Sequence, residues 1–100
     1  MKSARFVPAA RREFLAEIVY YNQEQPGLGA RFTASVEEAA ARALSFPRAG
    51  SPATANTRRV LLHGFPLSLV YREVTAGIVI FAVAHQSRRP GYWESRVQER

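Results

Sequence analysis

Apolar residues recur every three or four positions through two stretches in the first half of the chain. The first stretch covers residues 9–25 with charged side chains on its opposite face, and it follows Pro8, which suits the first turn of a helix. Gln25, Pro26 and Gly27 interrupt the pattern, and the same spacing resumes over residues 28–44. Because the connection is so short, the pattern predicts two antiparallel helices that form an αα-hairpin.

The second half carries three short runs that are rich in β-branched and aromatic residues, as is typical of strands. They cover residues 57–63, 67–73 and 78–85, and the gaps between them are long enough only for hairpin turns. The third run is apolar on both faces, which predicts a central strand. A short first strand is predicted at residues 4–7, since a residue before proline is pushed to extended conformations.

The stretch between the helices and these strands, residues 46–56, is rich in proline, glycine and small polar residues, which predicts a loop. The predicted order is therefore β-α-α-β-β-β, an α+β fold in which the helical hairpin packs on one face of an antiparallel sheet. This pattern covers the other face only in part, and an uncovered apolar face indicates a partner's binding surface. A chain of 100 residues suits a single domain, 1–100.

Composition narrows the class of protein. The chain is 47% hydrophobic and 22% charged, which is typical of a folded domain. Its lack of cysteine excludes a disulfide scaffold and a thiolate metal site, and makes the cytoplasm the expected location. No apolar run approaches the roughly 20 residues that span a bilayer. The start of the chain also lacks the apolar core of a signal peptide, so neither export nor membrane insertion is expected.

Positive charge is concentrated in the second half of the chain. Residues 1–47 hold six basic and five acidic residues, whereas residues 48–100 hold eight and three, so most of the formal net charge of +6 lies there. All but one of the 14 basic residues are arginine, which suits bidentate contact with carboxylate or phosphate groups. The charge predicts an acidic partner, either nucleic acid or an acidic protein segment. A solvated basic surface that only keeps the protein soluble is the alternative.

The chain carries no recognisable metal-binding or cofactor-binding motif, so we expect it to bind neither a metal nor a cofactor. Its two histidines are 22 residues apart with no carboxylate cluster nearby, and Gly27 and Gly29 fall far short of a phosphate-binding loop. The remaining candidate residues follow or belong to the predicted strands: Arg58, Arg59, His63, Arg72, His85, Arg88, Arg89, Tyr92 and Trp93.

This set allows two interpretations. RNA cleavage through the 2′-hydroxyl needs a base, an acid and cations, and His85, Arg72 and Tyr92 are suitable residue types. The same residue types also make up an ordinary basic binding surface. His85 could equally be a structural imidazole, and Trp93 could be a plug that packs on the sheet.

The order of elements and several short motifs resemble the RelE/ParE superfamily of bacterial toxins. The motifs are Tyr20-Tyr21, Leu44-x-Phe-Pro-x-x-Gly50, Arg58-Arg59 and Leu69-Val-Tyr-Arg72. The ending His85-x-x-Arg88-x-Pro90-x-Tyr92-Trp93 is most similar to the ParE branch, the plasmid-stabilisation proteins.

The resemblance implies a toxin of a type II toxin–antitoxin system, encoded beside a ParD-like antitoxin that wraps and neutralises it. In the ParE branch the target is DNA gyrase, which is trapped on cleaved DNA, so contact with nucleic acid would be indirect and the toxin would not be an enzyme. In the RelE branch the toxin cuts mRNA in the ribosomal A site, with several lysines or arginines on the sheet or a Glu/His pair. This chain has a single lysine, Lys2, and no acidic residue in the strand 57–63, which favours ParE.

The resemblance therefore implies a gyrase-poisoning toxin without cofactors or metals. Its expected target-binding residues are Arg58, Arg59, Arg88, Arg89, Tyr92 and Trp93. The alternative is a RelE-like mRNA interferase that would use His85, Arg72 and Tyr92. A binding module without toxicity is the third possibility.

Overall fold

The computed structural model describes residues 1–98, which form three helices and five strands. The helices are α1 (Pro8–Glu24), α2 (Leu28–Ser45) and α3 (Glu94–Gln98), and the strands are β1 (Ser3–Phe6), β2 (Ser51–Ala53), β3 (Thr57–Leu61), β4 (Leu67–Val74) and β5 (Gly77–His85). Glu99 and Arg100, which the charge count includes, lie outside the described residues.

Local sequence explains both ends of the helical hairpin. Val7 is extended and Pro8 occupies the first helical turn of α1, where its missing N–H is not needed. Gly27 has φ +87°, a left-handed conformation that glycine adopts without steric cost, and it starts α2 directly after α1 has ended. The side chain of Asn22 then joins the two helices, because its Oδ1 accepts a hydrogen bond of 2.9 Å from the N–H of Gly29.

The strands form one mixed sheet in the order β1-β5-β4-β3-β2. This arrangement confirms the predicted α+β fold with a helical hairpin on a sheet, and it places β5 in the interior, between β1 and β4. Every pairing is antiparallel except that of β1 with β5, which is parallel. The helical hairpin carries the chain from β1 to the opposite edge of the sheet. The remaining four strands then run back towards β1 in alternating directions, so that β5 lies beside β1 and parallel to it.

A short strand also lies within the predicted loop 46–56. β2 pairs with β3, Ser51 opposite Arg59 and Ala53 opposite Thr57. Ala55 and Asn56 both have positive φ, 57° and 56°, and form the tight turn after which β3 runs back beside the three residues of β2. This strand was not predicted, because the prolines and glycine of the stretch are typical of a loop.

The register defines the two faces of the sheet. Val60 pairs with Leu69 on one face of the sheet, and Tyr71 lies on the same face. The Tyr71 hydroxyl donates a hydrogen bond to the carbonyl of Pro47, just after α2. This is the face that the helical hairpin covers. Arg59 pairs with Val70 on the opposite face, which we call the second face.

The chain itself covers part of the second face. Residues 86–98, which we call the C-terminal segment, leave β5 through a hydrogen bond from the Gln86 N–H to the Pro66 carbonyl. The segment then packs back on the sheet, so that Trp93 is 6% exposed and Val97 is 8% exposed. Leu61 on the same face remains 58% exposed. Among residues 1–98, no helix has both the length and the apolar composition needed to cross a membrane.

Candidate functional site

A depression of about 420 Å³ lies between the second face of the sheet and the C-terminal segment. Buried side chains of Val70 and Trp93 form its base, and the exposed arginines Arg59, Arg88 and Arg89 border it. We call this feature the basic depression. β3 contributes Arg59, whereas the turn after β5 contributes Arg88 and Arg89, so residues far apart in sequence form one cationic surface.

The charge of the basic depression is largely uncompensated. Among the described residues, Arg59, Arg88 and Arg89 form no ion pair with a carboxylate. Glu94 also lines the depression and contributes one negative charge against these three positive charges, while its carboxylate accepts a hydrogen bond from the Thr54 hydroxyl. Exposed guanidinium groups without counter-ions attract anionic partners.

A second group of residues holds the C-terminal segment against the rest of the fold. The carboxylate of Glu13 on α1 accepts two hydrogen bonds from the guanidinium of Arg96, Nη1 to Oε1 at 3.0 Å and Nη2 to Oε2 at 2.9 Å. It also accepts a bond of 2.7 Å from the Tyr92 hydroxyl. We call Glu13, Tyr92 and Arg96 the Glu13 cluster. Only 16% of the Glu13 side chain and 20% of the Arg96 side chain are exposed, so the pair is shielded from water.

Tyr92 is an anchoring residue in this arrangement. Burial, followed by the hydrogen bond to the Glu13 carboxylate, raises the pKa of Tyr92 well above its ordinary value. The guanidinium carbon of Arg88 lies 4.0 Å from the centroid of the Tyr92 ring, and that of Arg96 lies 5.1 Å away, both within range of cation–π attraction. The hydrogen bond to Glu13 raises the pKa of Arg96 as well.

The structure separates the three residues of the possible RNA-cleaving set. His85 and Tyr92 line the basic depression, but Arg72 lines a different one, of about 320 Å³, together with Arg58. The guanidinium of Arg72 donates to the backbone carbonyls of Asn56 at 3.0 Å and Ala55 at 2.6 Å. Arg72 therefore braces the turn between β2 and β3.

His85 and Arg58 are also engaged locally. The Nδ1 atom of His85 accepts a hydrogen bond of 3.0 Å from the backbone N–H of Ser87 and lies 2.8 Å from the Ser87 hydroxyl. Arg58 donates to the carbonyl of Gly50 at 2.8 Å. Five of the six expected target-binding residues border the basic depression, and Arg58 does not.

The other expected candidates lie elsewhere. His63 is exposed at the far end of β3, with its Nδ1 atom 3.9 Å from the Glu38 carboxylate. Among residues 1–98, no three His, Asp or Glu side chains are grouped in a way that could hold a metal ion.

Sequence reasoning missed Glu13 and Arg96. Glu13 has the position and spacing of an ordinary charge on the solvent face of a helix, and its partners lie 79 and 83 residues further along the chain. No local pattern signals such a contact. Arg96 could have been noticed only as a lone basic residue after an aromatic pair.

This small basic α+β domain, with a helical hairpin on one face of a mixed sheet and a basic, aromatic C-terminal segment on the other, has a fold that solved structures share. Comparison of structures finds such a neighbour in the chromosomal ParDE toxin–antitoxin system from P. aeruginosa, with a TM-score of 0.72 and 17% sequence identity over 85% of this chain and 96% of that chain. At this identity the likeness shows the fold. The ParE toxins of type II toxin–antitoxin systems, parDE, match residues 4–90, and the chain belongs to this family. No curated protein matches the sequence.

Proposed function

We propose that this chain inhibits growth by poisoning DNA gyrase, and that a ParD-like antitoxin neutralises it in the cytoplasm. Membership of the ParE family over residues 4–90 supports the toxin role. The observation that carries the proposal for the target is the basic depression, where Arg59, Arg88 and Arg89 are exposed without carboxylate partners among the described residues. Such a surface suits an acidic protein surface or DNA held by the enzyme.

The contacts of the candidate catalytic residues favour this proposal over a RelE-like mRNA interferase. A general acid or base must reach the reacting group, and the residues of one site must converge on it. Arg72 lines a separate depression and is committed to two backbone carbonyls. The Tyr92 hydroxyl donates its hydrogen bond to the Glu13 carboxylate, and burial together with this bond disfavours loss of the hydroxyl proton. Tyr92 is therefore poorly suited to act as a general base. A binding role needs neither residue to be free.

An apolar surface supports the proposed antitoxin partner. A depression of about 320 Å³ lies between α2 and β1 and is lined by the apolar residues Phe6, Phe14, Ala40 and Leu44. It adjoins the outer edge of β1, which is an edge strand of the sheet. An amphipathic antitoxin segment could dock there by helix-in-groove packing or by strand addition.

The test is a gyrase assay with the purified chain. We expect the wild-type chain to block supercoiling and to accumulate cleaved DNA, whereas the double variant Arg88→Ala, Arg89→Ala should lose both effects and keep binding to the antitoxin encoded beside it. Normal supercoiling at saturating toxin would contradict the proposal. Primer extension on ribosome-bound message tests the alternative, since A-site cuts that vanish in Tyr92→Phe would instead support an mRNA interferase.

A further inference from the structure

The Glu13 cluster joins three separate parts of the fold at one carboxylate. Glu13 belongs to α1, its backbone partner Val83 belongs to β5, and Tyr92 and Arg96 belong to the C-terminal segment. We propose that Glu13 is a positioning residue, whose carboxylate holds the C-terminal segment across the second face of the sheet and thereby sets Arg88 and Arg89 at the border of the basic depression. This inference rests on the proposed function, because it assigns to those arginines the contact with the target.

The Glu13 cluster also completes the edge of β5. β1 pairs with β5 only as far as Ile80. Beyond that point the Phe81 carbonyl accepts a hydrogen bond of 2.9 Å from Arg96 Nη1, and the Val83 N–H donates one of 3.0 Å to Glu13 Oε1. Buried backbone groups require such partners, so the ion pair occupies the place that a longer β1 would have filled.

A continuous set of contacts connects Glu13 to the surface arginines. Glu13 fixes the Tyr92 hydroxyl, and the Tyr92 ring lies 4.0 Å from the guanidinium carbon of Arg88. The neighbouring residue Trp93 is buried at the base of the depression. If the carboxylate is removed, the ring loses its anchor, and both Arg88 and Trp93 lose their defined positions.

The family relationship does not already imply this role. The match to the ParE family covers residues 4–90, and Tyr92 and Arg96 lie beyond it. Loss of the carboxylate would leave the Arg96 guanidinium shielded and unpaired, a state that is strongly unfavourable. Release of the segment lets that charge reach water, so we expect release to be the response.

The test compares Glu13→Gln with the matched control Glu17→Gln. Glu17 lies one turn further along α1 and, among the described residues, makes no hydrogen bond or ion pair through its side chain. Trp93 is the only tryptophan in the chain, so its fluorescence reports on the C-terminal segment directly. We expect Glu13→Gln to shift its emission to longer wavelength and to increase quenching by acrylamide, with the far-ultraviolet circular dichroism of the helices retained.

The same variant should lose potency. If the segment is released for about nine-tenths of the time, the concentration needed for half-inhibition of gyrase rises about tenfold. Growth arrest on expression should weaken in parallel, while binding to the antitoxin is kept. Glu17→Gln should match the wild type in all of these measurements.

Two results would overturn the proposal: Trp93 emission that stays unchanged in folded Glu13→Gln, or a released segment with undiminished growth arrest. Arg96→Gln serves as a second variant if Glu13→Gln fails to fold, because it removes the same ion pair without altering α1. The double variant Glu13→Gln, Arg96→Gln should lose less potency than the two single losses combined, because the ion pair is a contact that both substitutions remove. A wild-type chain that arrests growth without affecting gyrase would contradict the proposed target alone.

Discussion

At the scale of single residues, Glu13 shows how much one carboxylate can organise. It accepts hydrogen bonds from Arg96, Tyr92 and the Val83 N–H at distances of 2.7–3.0 Å. Hydrogen bonds to a charged group contribute roughly 1.5–3 kcal/mol each, and removal of one partner of a buried ion pair costs about 3–5 kcal/mol. A side chain that looks like a routine helix charge therefore has one of the larger effects expected from a polar substitution in this chain.

The raised pKa of Tyr92 predicts a specific dependence of stability on pH. Below pH 10, the ordinary pKa of tyrosine, Tyr92 is protonated in both the folded and the unfolded chain, and its contribution is fully present. Above pH 10 the unfolded chain loses this proton first, so the free energy of unfolding falls as pH rises towards the folded pKa. Tyr92→Phe removes this ionisation and, at pH 8, also lowers stability by about 1.5–3 kcal/mol through the lost hydrogen bond.

Urea unfolding between pH 8 and pH 11 measures the difference between the two chains. The wild type should lose more stability over this interval than Tyr92→Phe does. Tyr20→Phe is the control, because the Tyr20 side chain is 51% exposed and its hydroxyl makes no hydrogen bond among the described residues. Parallel curves for wild type and Tyr92→Phe would refute the coupling of Tyr92 to Glu13.

At the scale of elements, the sequence pattern predicts what local periodicity controls. Both helices, β3, β4 and β5 lie within three residues of their predicted bounds, because their apolar spacing is strong. β2 and α3 were not predicted, since each is short and is held by contacts with distant residues rather than by its own sequence. The basic depression could be anticipated as a set of residues, but not its division from the depression of Arg72, because Arg72 is held by the carbonyls of the turn between β2 and β3, which the sequence pattern did not predict.

The pairing of β1 with β5 depends on a glycine. Gly77 has φ +140°, and a Cβ there would lie 1.9 Å from the backbone oxygen of Ser3. Gly77→Ala should therefore destabilise the fold by about 2–5 kcal/mol, from backbone strain together with the forced separation of β1. Gly64→Ala is the control, because Gly64 has φ +82° with nothing within 4 Å of its Cβ, and should cost only about 1–2 kcal/mol.

Thermal unfolding and amide exchange distinguish the two glycine variants. The N–H of Val7 donates to the Ile80 carbonyl at 3.0 Å and reports on the docking of β1. In Gly77→Ala the free energy of exchange at the Val7 amide should fall by more than the free energy of global unfolding. In Gly64→Ala the two free energies should fall by similar amounts. Equal destabilisation of both variants would mean that β1 adjusts to the added methyl group.

At the scale of the whole molecule, the two faces of the sheet have different surroundings. The helical hairpin buries one face, and α1 presents the exposed apolar residues Leu15, Val19 and Tyr20 on its outer side. The second face carries the basic depression. The excess charge of residues 48–100, visible in the sequence, is thus gathered partly on one side of the molecule, where the C-terminal segment and β3 meet. Electrostatic attraction from such a surface acts before contact and is sensitive to salt.

The proposed inhibition of gyrase should therefore weaken as ionic strength rises. If the basic depression contacts DNA phosphates, each phosphate contact contributes about −0.9 to the slope of log affinity against log salt concentration. Arg88→Ala with Arg89→Ala should then reduce the magnitude of that slope by up to about 2 units.

The control is Arg5→Ala with Arg31→Ala, which removes the same charge from two exposed residues that do not line the depression. Binding of the toxin to gyrase on DNA is measured at several salt concentrations for all three chains. A slope that falls equally in both double variants would show that net charge alone drives association, whereas a fall confined to Arg88 and Arg89 would locate the ionic contact at the basic depression.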